Sequence, residues 1–174
     1  MEKVEFKKLL FKVAFCTMAC DGHIDEREIE EMKIMDKHTS FFDGIDLSNE
    51  LSELIKDLSN NGAKVIMELF STLKDNNLNP IQELLVLEVA IRIIYSDQIH
   101  DENEIRFIQL LRSKLDLHDE LINDRFGVNT LLNTNRVANN IVSEDSVSRF
   151  AKSITLPELS NLNEVILNVG DTDK

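Results

Sequence analysis

Residues 18–35, MACDGHIDEREIEEMKIM, lie over residues 94–111, IYSDQIHDENEIRFIQLL, without a gap and at a constant offset of 76 positions. Asp21 falls on Asp97, Asp25 on Asp101, Glu26 on Glu102, Glu28 on Glu104 and Ile29 on Ile105. In each copy an apolar stretch runs into an acidic loop, and an amphipathic stretch leaves it. A chain that repeats such a unit folds as related halves whose apolar faces cover each other. The halves span about 1–62 and 63–126, and the pattern predicts that they pack around an approximate twofold axis.

Helical periodicity fills both halves. Phe6, Leu9, Leu10, Val13, Ala14 and Thr17 follow the i, i+3, i+4, i+7 rule. The stretch FKVAFCTMAC at 11–20 is apolar on nearly all sides, which predicts central burial. DGHI ends this first helix, with Gly22 suited to a left-handed C-terminal position. A second helix starts after Asp25 and carries Ile29, Met32 and Met35. FFDGID is a turn; Leu47, Leu51, Leu54, Ile55 and Leu58 make a third helix, stopped by NNG. Ile66, Met67, Leu69, Phe70 and Leu73 make a fourth. Asn79 and Pro80 open a fifth, PIQELLVLEVAIRIIYSD, as N-cap and first-turn proline. This is the second apolar rod. No stretch alternates with period two. The expected fold is all-α: a compact helical bundle of about seven or more helices built from two pseudo-symmetric repeats.

The length of 174 residues suits one domain with a sizeable core. With 43% hydrophobic and 29% charged residues, the composition is that of a globular protein. No run of about 18 apolar residues exists to cross a bilayer. The opening MEKVEFKKLLFKVAF lacks the uninterrupted apolar core of a signal peptide. Cys16 and Cys20 are neighbours on one helix face, too few for a disulfide framework, and point to a reducing, cytoplasmic compartment. The formal charge of -13 repels phosphate backbones and anionic lipid, so neither nucleic acid nor membrane insertion is expected. Cations, or a protein partner that is basic or membrane-associated, are the complements. Residues 1–126 hold 26 acids and 15 bases, against 6 and 4 in 127–174, so the negative field belongs to the repeated part. The Asn- and Ser-rich 127–174 reads as an extension packed on the 1–126 domain. Val147, Phe150, Ala151 and Ile154 predict one amphipathic helix within it, and LPELSNLNEVILNV a last docking segment.

Two readings of the repeated acids stand side by side. Asp25-x-x-Glu28 and Asp101-x-x-Glu104 fit capping boxes, in which the aspartate accepts from free helix N–H groups and the glutamate reaches back. Glu26 and Glu102 suit the same first turns. Asp21 and Asp97 do not fit that account, because each follows a helix C-terminus, where the dipole disfavours an acid. Three carboxylates crowd each loop, and like charges that close repel. A bound cation relieves this, and hard oxygen donors suit Ca²⁺, Mg²⁺ or Mn²⁺. The candidate metal ligands are therefore Asp21, Asp25, Glu28, Asp97, Asp101 and Glu104, in one shared site or in two. The loops are not EF-hands: counting from Asp21, position six is Glu26 and position twelve is Met32.

The residues ACDGHIDEREI at 19–29 and YSDQIHDENEI at 95–105 resemble the TerB-like domain of bacterial tellurite-resistance proteins. They match its small-residue–Asp–Gly–x–hydrophobic–acid–x–x–Glu pattern, shown once per half, and with the flanking helices the likeness covers roughly residues 1–126. The resemblance implies a helical domain with internal pseudo-symmetry and an acidic surface that takes a divalent metal. It also implies a non-enzymatic, stress-response role in a bacterial cytoplasm. The family's glycine is Gly22 in the first copy but Gln98 in the second, which predicts a different turn there and weaker binding by that loop.

Softer coordination is the lesser alternative. His23 and His100 do not superpose at the repeat offset, and a Zn²⁺ site using either, or Cys16 and Cys20, competes with solvated histidines and core thiols. No G-x-S-x-G, phosphate-cradling glycine loop or H-E-x-x-H occurs, so no enzyme is expected. The rival to metal binding is a pure interaction module whose acids are helix caps.

Overall fold

Helix α1 (Lys3–Ala19) and helix α5 (Pro80–Ser96) are the two apolar rods, and they pack on each other at the centre. Phe11, Val13, Ala14 and Phe15 of α1 and Val86, Leu87, Val89, Ala90, Ile93 and Ile94 of α5 are fully buried. The computed structural model describes residues 1–98, 100–129, 131–132, 144–158 and 160–162. Around the rods stand α2 (Glu26–His38), α3 (Leu47–Asn61), α4 (Lys64–Asp75), α6 (Glu102–Ser113), α7 (Asp119–Phe126) and α8 (Glu144–Ser153). Among the described residues there is no strand. The all-helical bundle expected from periodicity is the fold.

The caps follow the sequence. Asn79 accepts from the Gln82 N–H at 3.0 Å while the Gln82 side chain takes the Asn79 N–H, with Pro80 at the first turn. Asp46 caps α3 through the Asn49 N–H at 3.1 Å, and Gly62 ends it with φ of +55°. Helix α1 packs on α6 and α2 packs on α5, so each acidic loop leads its second helix onto the other half's first helix. This crossing is what positions the site.

Helix α7 has no counterpart in the sequence pattern, because only Ile122 of its eight residues is buried. Polar ties hold it instead. Glu88 accepts from Arg125 of α7 at 2.6 Å and from Arg92 of its own helix at 3.1 Å. Arg112 is buried at the end of α6, where it donates to the Leu115 and Leu117 carbonyls and to Asp119.

In the extension, Val147, Phe150 and Ala151 are buried as their spacing predicts, and Ile154 is half-buried against the core. Helix α8 packs on α4 and α6. The Phe150 ring lies 6.3 Å from Phe107, which in turn lies 5.5 Å from Phe70. Pro157 and Leu162 are also buried. The stretch between Leu132 and α8, and the later part of the last docking segment, lie outside the described residues. Among the described residues no helix is long and apolar enough to cross a membrane.

Phe11 is fully buried and meets Phe42 edge-to-face at 5.5 Å, which joins α1 to the turn before α3. Phe11→Ala is expected to lower unfolding free energy by about 3–5 kcal/mol, read as a shifted urea midpoint with an unchanged slope.

Candidate functional site

The two acidic loops meet. Arg27, in the first turn of α2, donates Nη1 to the Asp97 carbonyl at 3.0 Å, across 70 residues of chain. The same guanidinium holds Asp25 through Nε at 2.9 Å and Nη2 at 3.2 Å, so one side chain ties the first loop's cap to the second loop's entry. The repeat gives Arg27 no twin, since Asn103 stands at the matching position.

Both capping boxes are closed. The Asp25 N–H donates to Glu28 Oε2 at 2.8 Å, and the Arg27 N–H to Asp25 Oδ1 at 2.8 Å. The Asp101 N–H donates to Glu104 Oε2 at 2.9 Å, and the Asn103 N–H to Asp101 Oδ1 at 2.7 Å. Reaching back along the helix carries both glutamates inward, and each is only 4% exposed. Burial disfavours their charged forms, and neighbouring carboxylates add to it. Burial pushes Glu28 up to about 9, with the negative charges of Asp21, Glu104 and Asp97 raising it further against the Asp25 N–H. Glu104 is pushed up to about 7, again first by burial, then by Asp21, Asp97 and Asp101 against the Asp101 N–H. Asp97 raises Glu28 and Asp21 raises Glu104, which places carboxylates of both halves in one electrostatic neighbourhood.

Asp21 is half-buried, and this burial, together with Asp101, raises its pKa although the His23 N–H bonds its Oδ1 at 2.8 Å. Asp25 goes the other way, because the Arg27 guanidinium holds it below the usual carboxylate range. Asp97 is the C-cap residue of α5. The six candidate acids stand in two neighbouring loops and are not alike. Asp25 and Asp101 are engaged as caps, whereas Glu28 and Glu104 form the buried centre. Among the described residues, no three of His, Cys, Asp and Glu are gathered as ligands around one point. The donor chemistry, oxygen only, fits a hard cation.

At the start of the second loop Gln98 has φ of +63°, positive like that of Gly22 at +85°, which costs a side chain strain that glycine avoids. Cys20 is fully buried beside the junction and donates its Sγ–H to the Thr17 carbonyl at 3.1 Å. Burial pushes its thiol well up, and Glu104, Asp21 and Glu28 push it further. Cys16 is pushed up to about 12 by burial. Both therefore stay thiols at neutral pH. His23 is exposed, and the exposed His100 ring stands edge-on to Tyr95 at 4.6 Å.

Arg27 and the inward turn of the two glutamates were not legible as a shared site. The one signal was a lone arginine inside a run of acids. No protein-family model, curated protein or solved structure matches the chain.

The raised carboxyls make stability fall with rising pH. Between the ordinary glutamate value and about 7 for Glu104, or about 9 for Glu28, the folded state keeps protons that the unfolded chain has released. Chelator-treated protein is therefore expected to lose stability steadily from pH 5 to pH 8. Glu28→Gln keeps the acceptor for the Asp25 N–H without the charge. It should remove part of that slope, by up to about 1.4 kcal/mol per pH unit, in urea unfolding across pH.

Proposed function

We propose that this chain is a non-enzymatic, TerB-like adaptor of a bacterial cytoplasm that takes up a divalent cation where its two acidic loops meet. It presents the occupied or empty state to a protein partner in a stress response. One observation carries the reading: the buried Glu28 and Glu104 share a neighbourhood with Asp21 and Asp97, and Arg27 is the basic side chain that reaches into it. At neutral pH protons, backbone N–H groups and the Arg27 guanidinium offset that negative charge. A divalent cation can take the place of the protons, and Ca²⁺, Mg²⁺ or Mn²⁺ suits the oxygen donors better than Zn²⁺. Asp21, Glu28, Asp97 and Glu104 are the ligands that this reading favours. Asp25 and Asp101 stay with the helix caps.

A second reading has its own support. Both capping boxes are closed without any ion, and the protonated glutamates need none. In that case the chain is a pure protein-interaction module. Ile91, Tyr95, Phe126 and Val128 line an open groove that offers apolar surface, with Val128 87% exposed.

Thermal unfolding of the chelator-stripped protein, titrated with Ca²⁺, Mg²⁺, Mn²⁺ and Zn²⁺ at pH 8 and moderate salt, separates the two. An ion present at about a hundred times its Kd should add roughly 2.7 kcal/mol. The expected result is a saturable rise for a hard cation that disappears in the Asp21→Asn, Asp97→Asn double variant. A flat response to all four ions, or a rise that survives the double variant, leaves the acids as helix caps.

A further inference from the structure

The loop that carries Asp21 is covered by the extension. A Cβ on Gly22 would fall 2.6 Å from the Thr155 carbonyl oxygen and 3.3 Å from the Thr155 carbonyl carbon and Cβ. Backbone therefore lies on backbone, at a distance only glycine permits. Three residues of the same short stretch anchor it: Ile154 and Leu156 are half-buried against the core, and Pro157 is buried. Leu156 also reaches Gly62, where a Cβ would lie 3.9 Å from Leu156 Cδ1. The stretch follows directly from α8, whose last turn continues into it through the Ile154 N–H to the Phe150 carbonyl at 3.2 Å. The extension thus runs from the α4–α6 face onto the first acidic loop at Thr155, and then onto the end of the third helix at Leu156.

Gly22 is required twice. Its φ of +85° suits glycine, as the repeat already implies, but Gln98 shows that a side chain is tolerated at the matching turn. What distinguishes Gly22 from Gln98 is the Thr155 carbonyl above it. We propose that residues 154–157 form a latch on the first acidic loop: seated, they fix the backbone at Gly22 and with it the position of Asp21, and displaced, they release it. Whatever engages the extension then moves the acidic junction, and a rearranged junction loosens the extension by the same free energy. The latch does not depend on cation binding.

Amide hydrogen exchange on the full chain tests it with no ion present. Ile154→Ser with Leu156→Ser removes the anchors without adding charge beside the acids. The expected result is exchange at least about tenfold faster at Gly22, His23 and Ile24, with the amides of α3 unchanged. Gly22→Asn approaches from the other side, because asparagine accepts positive φ yet brings a Cβ into the Thr155 carbonyl. It is expected to speed exchange at Ile154, Thr155 and Leu156. If loop exchange stays at the wild-type rate in the double variant while residues 150–156 loosen, the latch is wrong. It is equally wrong if Gly22→Asn leaves 154–156 protected.

Discussion

Glu28 and Glu104 each fasten a helix start by accepting the N–H of Asp25 or Asp101, and both do so inside the protein. Everything around the acidic junction follows from that. A capping glutamate on a surface helix sits in water and keeps its charge. Here α2 packs on α5 and α6 packs on α1, and Glu28 and Glu104 in their first turns are buried. The backbone hydrogen bond that the cap supplies is worth about 1 kcal/mol, and leaving the Asp25 or Asp101 N–H without it would cost more. The carboxyls are therefore kept, and their charge is what gives way.

That compromise makes the junction responsive. A buried carboxyl that holds its proton near neutral pH can exchange it for another positive charge, and the neighbouring Asp21 and Asp97 make the exchange more favourable. Arg27 shows how the protein supplies one such charge itself. It neutralises Asp25 and reaches the Asp97 carbonyl, so the first loop is tied to the second by a resident cation that the second loop does not return. The two copies of the motif thus differ in their contacts. The first carries the tie and the latch; the second carries a strained Gln98 and an exposed His100–Tyr95 pair.

Much of the fold is visible in the residues. Asp25-x-x-Glu28, Asp101-x-x-Glu104 and Asn79-Pro80-x-Gln82 name their helix starts because capping is local chemistry, complete within four residues. The apolar rods are legible for a similar reason, since a helix without a polar face has only the centre to occupy. Helix α7 is not legible, because Arg125 and Arg112 hold it through partners distant in sequence or on the backbone. The six acids can be picked out as a set, but their division into two engaged caps and a buried pair cannot. That division depends on which rod covers which first turn. The Thr155 carbonyl over Gly22 is equally hidden, since a glycine at a helix end already has a sufficient local explanation.

The most direct test of the account is the titration of the Glu28 and Glu104 side-chain carboxyl carbons by NMR in chelator-treated protein. The buried pair predicts that Glu28 titrates near 9 and Glu104 near 7, and that Glu104→Gln lowers the value of Glu28. If both titrate in the ordinary glutamate range and Glu28 does not respond to Glu104→Gln, the two acidic loops do not share a buried charge, and the central claim is wrong.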